Sequence, residues 1–334
     1  MNPPTLKKID RALWPAAVAV AKAGAFFPRV RRQDPRPLIL RPGGMGDLIL
    51  LCVAAEELGC DPRGFFWVIE RRSSVWARHL GLDYLCYDDR TVAQHARIAG
   101  RFSVVVNSEQ RFGLSQATAA LARGNGARLT CFETNRAAWW ADRRVAYDPD
   151  GTHEAVLFRN LLAAALELPT RAGSEPPARQ RMAPAVEKPV VGLSGLQAES
   201  RAFSEEEWAR FILARIGRGP FWIASSETDR PVARRLAQRF PGRAEVFEGS
   251  FDGLCGLIQR AEEVLTVDGG FLHIASYYGV PATALFTSTR ERKWAALAPG
   301  SRTLFRDGLA CRPCAWFAQT PPCAHGFACK EVPF

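Results

Sequence analysis

The stretch VDGGFLHIAS at residues 267–276 decides the fold of this chain. It follows an apolar run typical of a buried strand, and it opens an amphipathic pattern typical of a helix. Gly269 and Gly270 therefore stand at a strand-to-helix corner, where the missing side chains let the backbone come close to a ligand. The first amides of a helix have no partner within it and attract anions. The sequence predicts a diphosphate site here, with Asp268 and His273 beside it.

The composition is that of a globular protein. The chain has 334 residues, 47% hydrophobic and 23% charged, which is enough for two domains with their own cores. The net charge of +10 favours an anionic partner: a membrane surface, a nucleic acid or a phosphorylated substrate. The arginines are scattered, so no nucleic-acid-binding tract is predicted. A membrane-spanning helix is not expected either, because the sequence has no run of about 18 apolar residues.

Residues 1–36 form a basic segment with an amphipathic pattern. Two interpretations remain open, a contact with anionic lipid or a helix packed on the body with a solvated basic edge. The basic residues are Lys7, Lys8, Arg11, Lys22, Arg29, Arg31, Arg32 and Arg36. Five dispersed cysteines have the apolar settings of reduced core thiols, so we expect a cytoplasmic protein. These are Cys52, Cys60, Cys86, Cys131 and Cys255.

Strand and helix patterns alternate over residues 37–170 and again over 190–310. This alternation predicts two α/β domains, each with a doubly wound parallel sheet. Residues 171–189 are rich in Pro, Arg, Ala and Gly and have no periodicity, so we expect the domain linker there. In such sheets, ligands bind at the carboxyl ends of the strands.

A second glycine-lined corner, GGMGD at residues 43–47, follows the first predicted strand. Its spacing differs from the dinucleotide-binding fingerprint. A carboxylate at this position can accept a proton from an attacking hydroxyl, so Asp47 is a candidate general base. The alternative is that Asp47 only caps the following helix.

Two charged residues in the second half are candidates for nucleotide contacts. Glu227 comes just past a predicted strand, where a carboxylate suits the hydroxyls of a ribose; the alternative is an ordinary glutamate in the first turn of a helix. Arg201 follows a small corner at Ser194 and could reach a phosphate from there. The alternative is an arginine on the surface.

Four cysteines lie within nineteen residues of the C-terminal tail, at positions 311, 314, 323 and 329. Four thiolates suit tetrahedral zinc or a single iron, and His325 is a spare nitrogen ligand. The alternative is two disulfides, which would need an oxidising compartment. A nucleic-acid-binding finger should carry a basic helix beside the cysteines, whereas this tail holds only Arg312 and Lys330.

Together these motifs resemble glycosyltransferase family 9, the ADP-heptose:lipopolysaccharide heptosyltransferases. Residues 38–51 match the family's strand, Gly-Asp corner and helix, and residues 267–276 match its strand-Asp-Thr-Gly-x-x-His-x-x-Ala signature with departures. The segment GVPATALF at 279–286 matches the family's Gly-Val-Pro-strand-Phe segment, and the loop near Trp294 matches its aromatic-bearing loop. The main departure is Gly269, which stands where the family usually has Thr, so one hydroxyl contact to phosphate is expected to be absent.

The resemblance implies a GT-B fold, two Rossmann-like domains that face each other across a cleft. Residues 37–170 would then be the acceptor-binding domain, residues 190–310 the nucleotide-sugar-binding domain, and 311–334 a Cys-rich tail. In the protein-directed members of the family, a similar Cys cluster is associated with iron, so a structural zinc or iron is implied here.

The resemblance also assigns residues. Asp47 falls on the proposed general base of an inverting transfer, with Gly44, Met45, Gly46 and Arg71 on the acceptor side. Glu227 falls on the ribose contact, and Arg201 on a Lys that stabilises the leaving phosphate. The family's chemistry needs no metal cofactor. The expected donor-side residues are Ser194, Arg201, Glu227, Asp268, Gly269, Gly270 and His273.

The function implied is transfer of heptose from ADP-heptose to a lipopolysaccharide core hydroxyl, with possible contact of the enzyme with the anionic inner membrane. Arg41, Arg71, Arg72, Arg78 and Arg111 are candidates to meet the anionic groups of the acceptor. Two alternatives remain, a transferase that acts on a protein or another polysaccharide, and a non-catalytic nucleotide-sugar-binding relative. No nucleic-acid partner is expected.

Overall fold

The computed structural model of the chain describes residues 9, 12–13, 15–19, 34–110, 116–124, 126–169, 175–194, 199–315 and 321–334. It divides into two compact units, Met1–Glu175 and Pro176–Phe334. Among the described helices, none has both the length and the apolar character needed to cross a membrane.

The first unit is built on a sheet of six parallel strands in the order β3-β2-β1-β4-β5-β6. The strands are β1 Leu38–Arg41, β2 Phe66–Ile69, β3 Asp83–Cys86, β4 Val104–Asn107, β5 Arg128–Phe132 and β6 Arg143–Val145. The helices are α1 Met45–Glu57, α2 Ser74–His79, α3 Val92–Ala99, α4 Gln116–Gly124 and α5 Glu154–Leu166. Leu38 pairs with Phe66 of β2 on one side and with Val105 of β4 on the other. The order of the strands therefore reverses at β1 and β4, which is where doubly wound sheets bind ligands.

Burial of both sheet faces explains the apolar strands of this unit. All four residues of β1 are buried, as are the last three of β4. Helix α5, which we did not predict, is buried along most of its length and packs against α1. A helix buried on most sides has no clear amphipathic stripe, so its periodicity gives a weak signal.

The second unit repeats the same architecture, with six parallel strands in the order β12-β11-β10-β7-β8-β9. The strands are β7 Val190–Leu193, β8 Phe221–Ser225, β9 Ala244–Val246, β10 Val264–Val267, β11 Ala282–Phe286 and β12 Arg302–Phe305. The helices are α6 Glu205–Ile216, α7 Arg230–Gln238, α8 Phe251–Arg260, α9 Gly270–Tyr278 and α10 Glu291–Trp294. The order reverses at β7 and β10, so both units have the strand order of a Rossmann fold.

Helix α6 begins with a capping box. Ser204 caps the helix, its hydroxyl accepts from the Glu207 amide, and the Glu207 carboxylate accepts from the Ser204 amide in return. Helix α1 begins at Met45, within the GGMGD corner.

Parts of both terminal segments pack on the unit to which they belong. Ala17 and Val18 lie in a buried cluster with Ala117, Ala120 and Leu121 of α4. The basic residues from Lys7 to Arg32 lie outside the described residues. At the other end, Val332 belongs to the apolar core of the second unit.

Candidate active site

The expected donor-side residues meet at the carboxyl edge of the second sheet. Ser194 follows β7, and Asp268 follows β10, the neighbouring strand at the switch point. Gly269 is the N-cap of α9, and no side chain caps this helix. The amides of the first turn, with the positive end of the helix dipole, therefore point out at this edge, as an anion site requires.

Gly269 is needed here for close approach. Its backbone is extended, with φ of 172°, which any residue adopts. However, an ideal Cβ at this position would lie 2.6 Å from the Ser194 Oγ atom. The hydroxyl of Ser194 thus takes the space that a side chain at residue 269 would need.

Several buried hydroxyls at this edge have no hydrogen-bond partner among the described residues. They include Oγ of Ser194, after β7, and Oγ1 of Thr287 and Thr289, in the loop after β11. Buried polar groups usually find partners, so unpaired hydroxyls beside a helix N-terminus indicate a polar ligand. We did not predict Thr287 and Thr289. The signal that could have found them is their position just after the predicted strand that ends at Phe286.

Arg201 lies against the same corner. It ends a short 3₁₀ helix, Glu199–Arg201, and its Nη1 donates to the Asp268 carbonyl at 2.9 Å. The neighbouring Ser200 hydroxyl lies 3.0 Å from that of Ser288 in the loop after β11. The structure therefore brings Arg201 to the start of α9, more than 60 residues away in sequence.

The other donor-side residues occupy the same edge in different settings. His273 is buried on α9, and its ring lies 6.1 Å from that of Trp294 at the end of α10. Glu227 is exposed and lies two residues past β8. It precedes Asp229, the N-cap of α7, so it is not in the first turn of that helix.

Asp47 lies in the first turn of α1 at the carboxyl edge of the first sheet. The N-cap of this helix is Gly44 and no side chain caps it, so Asp47 does not serve as the cap. Instead, Asp47 Oδ2 pairs with Arg41 Nη2 at 2.7 Å, and Oδ1 accepts from Gln110 Nε2 at 3.4 Å. Its side chain is 17% exposed, so the oriented carboxylate can be reached from solvent.

Arg41 is the buried centre of this arrangement. Its Nη1 donates to the Ser108 carbonyl at 3.0 Å and to Gln110 Oε1 at 3.1 Å, and its side chain is 4% exposed. Burial works to lower the pKa of Arg41, but nearby carboxylates, first that of Asp47 and then that of Glu109, outweigh it and raise the pKa. The expectation that Arg41 meets acceptor anions is wrong, because its guanidinium is occupied within the chain.

The polar cluster continues inward to residues that we did not predict. Gln110 Nε2 also donates to Glu154 Oε1 at 2.7 Å, and the Tyr147 hydroxyl donates to Glu154 Oε2 at 3.0 Å. Burial and the Glu154 carboxylate raise the pKa of Tyr147. The sequence offered one signal for these residues. Ser108, Glu109 and Gln110 come directly after an apolar strand, as the GGMGD corner does, so they are expected at the same edge of the sheet.

The acceptor-side residues share this edge. Gly44, Met45 and Gly46 are partly exposed. The Ser73 hydroxyl donates to the Gly43 carbonyl at 3.1 Å and so joins the loops after β1 and β2. Arg71, in that second loop, is 68% exposed and pairs with Asp89. Arg111 lies outside the described residues.

The four tail cysteines, 311, 314, 323 and 329, line one cavity of about 170 Å³ together with His325. The Cys323 Sγ accepts from the amides of His325 at 3.4 Å and Phe327 at 3.3 Å. Burial, then neighbouring thiolates, raise the pKa of Cys314 and Cys329. All nine cysteines are described, and all are free thiols. In the described part of the chain, no three His, Cys, Asp or Glu side chains are already arranged to hold a metal ion.

Comparisons with known proteins show which family and which folds the chain is similar to. The model of glycosyltransferase family 9 (heptosyltransferase) matches residues 102–321. A family 9 glycosyltransferase from Veillonella parvula has a TM-score of 0.59 at 14% identity, over 82% of this chain and 87% of that one. Escherichia coli heptosyltransferase WaaC with ADP has a TM-score of 0.59 at 19% identity, over 80% and 92%. E. coli ADP-heptose lps heptosyltransferase II has a TM-score of 0.58 at 13% identity, over 82% and 91%.

The comparison with curated proteins found no match. The structural likenesses confirm the predicted fold class, two Rossmann-like α/β domains of the GT-B type.

Proposed function

Because the chain belongs to glycosyltransferase family 9, the heptosyltransferase family, we propose that this glycosyltransferase moves heptose from ADP-heptose onto a hydroxyl of a lipopolysaccharide core. The observation that carries the proposal is the uncapped start of α9 with Ser194 and Arg201 against it. A helix N-terminus with an arginine beside it suits the negative charge of a diphosphate. WaaC, which has the same fold, was solved with ADP.

In the proposed reaction, the diphosphate of the donor sits on the α9 amides. The Asp268 carbonyl takes one of the five N–H donors of Arg201, and the others are suited to phosphate oxygens. The carboxylate of Glu227 would receive the ribose hydroxyls. When the bond from the anomeric carbon to the diphosphate breaks, the charge that develops on ADP is stabilised by these amides, Arg201 and Ser194. The step needs no metal ion.

Asp47 is proposed as the general base. It would take the proton of the acceptor hydroxyl as that oxygen attacks the anomeric carbon, which inverts the configuration. Arg41 and Gln110 hold the two carboxylate oxygens, so the base is already oriented before the acceptor binds. Asp47 remains partly exposed at the edge where Gly44 to Gly46 and Arg71 lie, which is the proposed acceptor side.

Charge supports the proposed acceptor and the proposed location of the enzyme. The net charge of +10 favours an anionic acceptor, and exposed cations such as Arg71 and Arg72 suit its phosphate or carboxylate groups. We propose that the enzyme works in the cytoplasm at the anionic inner membrane, to which the positive charge of residues 1–36 attracts it. Binding to vesicles of anionic lipid, compared with neutral vesicles, tests this proposal.

We also propose a structural metal in the tail, zinc or iron. The residues fit such an ion, because four thiols line one cavity and two amides donate to Cys323 Sγ, as amides do around metal-bound thiolates. Cys311, Cys314, Cys323 and Cys329 would hold the metal, and closing on it would draw the thiols together. The metal would fix the tail and take no part in the transfer.

A thermal-shift panel tests the donor. ADP, ADP-heptose, UDP, GDP and CDP are compared, because a ligand that binds only the folded state raises the Tm. We expect selective stabilisation by ADP and ADP-heptose. Stabilisation by UDP or GDP alone would contradict the proposed donor. No response to any nucleotide would contradict a nucleotide-sugar donor altogether.

A further inference from the structure

The Cys-rich tail touches the segment that carries Arg201. Lys330, in a 3₁₀ helix Ala328–Lys330, donates from Nζ to the Ala202 carbonyl at 2.7 Å. The same ammonium lies 3.5 Å from Glu207 Oε2 and 5.4 Å from the centre of the Phe203 ring. Lys330 is 19% exposed, so these contacts are partly shielded from water. They fix the backbone one residue after Arg201.

The tail also holds the second loop of the donor edge. The amides of Cys314 and Ala315 both donate to the Ser288 carbonyl at 3.0 Å. Arg312 donates to the carbonyls of Thr287 at 2.6 Å and Thr289 at 3.1 Å. The side-chain hydroxyls of these two threonines are buried and have no partner among the described residues.

The two loops are linked to each other by the contact between the Ser200 and Ser288 hydroxyls. The tail therefore contacts both the segment that carries Arg201 and the loop after β11, and these two segments also contact each other. From the first of them, the Arg201 side chain reaches the Asp268 carbonyl. Fixing a long arginine side chain and its backbone on binding costs conformational entropy. A contact that fixes the backbone in advance lowers that cost and strengthens ligand binding.

We propose that Lys330 is a positioning residue of the donor site, which acts on the nucleotide diphosphate through Arg201 and does not touch the ligand itself. The tail is then part of the donor site as well as a candidate metal centre. This inference rests on the proposed nucleotide-sugar donor.

The test is the Kd of ADP, measured by calorimetry for the full chain, four single variants and one double variant. Lys330→Met removes the ammonium and keeps the length of the side chain. Lys330→Arg keeps a donor for the Ala202 carbonyl. Lys188→Met is the matched control. Lys188 is 18% exposed, pairs with Glu245 and lies over the Trp222 ring, so its setting is similar to that of Lys330. It lies at the amino ends of the strands, whereas the donor site lies at their carboxyl ends. Arg201→Met provides the background for a double-mutant cycle.

We expect Lys330→Met to weaken ADP binding about fivefold, which corresponds to about 1 kcal/mol. Lys330→Arg should recover most of the loss, and Lys188→Met should bind as the wild type does. In the Arg201→Met background, Lys330→Met should add less than a twofold loss. Wild-type affinity in Lys330→Met, or the same fivefold loss with and without Arg201, would overturn the inference. If the unmodified chain binds no ADP, the proposed donor itself is wrong, and the first titration shows this before any variant is compared.

Discussion

The Oγ atom of Ser194 lies 2.6 Å from the position that a Cβ atom on Gly269 would take. The two residues lie just past neighbouring strands, β7 and β10, at the switch point of the second sheet. The family usually has Thr at the position of Gly269, so the sequence alone indicated a lost hydroxyl. The structure places the Ser194 hydroxyl in that space, so the glycine after β10 and the hydroxyl after β7 belong together.

This pairing predicts coupled stability. Gly269→Ala should lower the free energy of unfolding in the wild-type background, because the new Cβ forces Ser194 to shift, at a cost of about 1–3 kcal/mol. In a Ser194→Gly background the same change should cost at least about 1 kcal/mol less. Urea unfolding of the four proteins measures the coupling. The same cost in both backgrounds would show that the two residues do not compete for space.

Much of the fold was predictable because local signals agreed with it. The apolar run before Asp268, the glycines after it and the glycine at residue 279 specify β10, α9 and its end without any distant partner. Helix α5 was missed because it is buried along most of its length. The strands β6 and β12 were missed because they are only partly buried and therefore lack an apolar run.

Only part of the site was predictable, because some of its residues are placed by the order of the elements and others by tertiary packing. Residues that come directly after a strand, such as Asp268 and Ser194, could be placed from the order of elements. Gln110 and Glu154 could not, since their contact joins residues 44 positions apart and depends on how α5 packs. Lys330 lies still farther from its partner Ala202, 128 positions along the chain.

A second prediction concerns the unpaired hydroxyl itself. Ser194→Ala should weaken ADP binding about fivefold, the effect of losing one hydrogen bond to a charged group, and should hardly change the Tm. Thr130→Val is the control, because Thr130 Oγ1 is also buried without a partner in the described chain but lies on β5 of the other unit. Calorimetry with ADP measures both. Equal affinities for Ser194→Ala and wild type would remove Ser194 from the donor site.

The proposed base gives a third prediction. Asp47→Asn keeps the shape and the contact with Gln110 but cannot accept the acceptor proton, so transfer should fall at least about 100-fold. The Kd of ADP should stay unchanged, because α9, Arg201 and Ser194 are intact. Sugar transfer to core saccharide and ADP calorimetry are measured on the same sample. Turnover at the wild-type rate would show that Asp47 is not the base.

Burial of Arg41 beside Asp47 and Glu109 leads to a fourth prediction. Arg41→Met leaves buried carboxylates without their cation and should lower the free energy of unfolding by about 3–5 kcal/mol. Arg71→Met breaks an Arg–Asp pair of the same chemistry, but that arginine is 68% exposed, so the loss should stay within about 0.5 kcal/mol. Urea unfolding at neutral pH compares the two variants. Similar losses would mean that the Arg41 pair is not shielded from solvent.

The last prediction concerns the tail. Elemental analysis of the purified protein should find about one zinc or iron per chain, because four thiolates suffice for one tetrahedral ion. Cys311→Ser and Cys329→Ser should each lower that content, whereas Cys60→Ser, in the first unit, should not. A chelator should lower the Tm of the wild type, since a metal bound only by the folded tail stabilises it. Metal-free protein with four readily alkylated tail thiols would show that the cysteines bind no metal. Metal content that survives both tail variants would place the ion elsewhere.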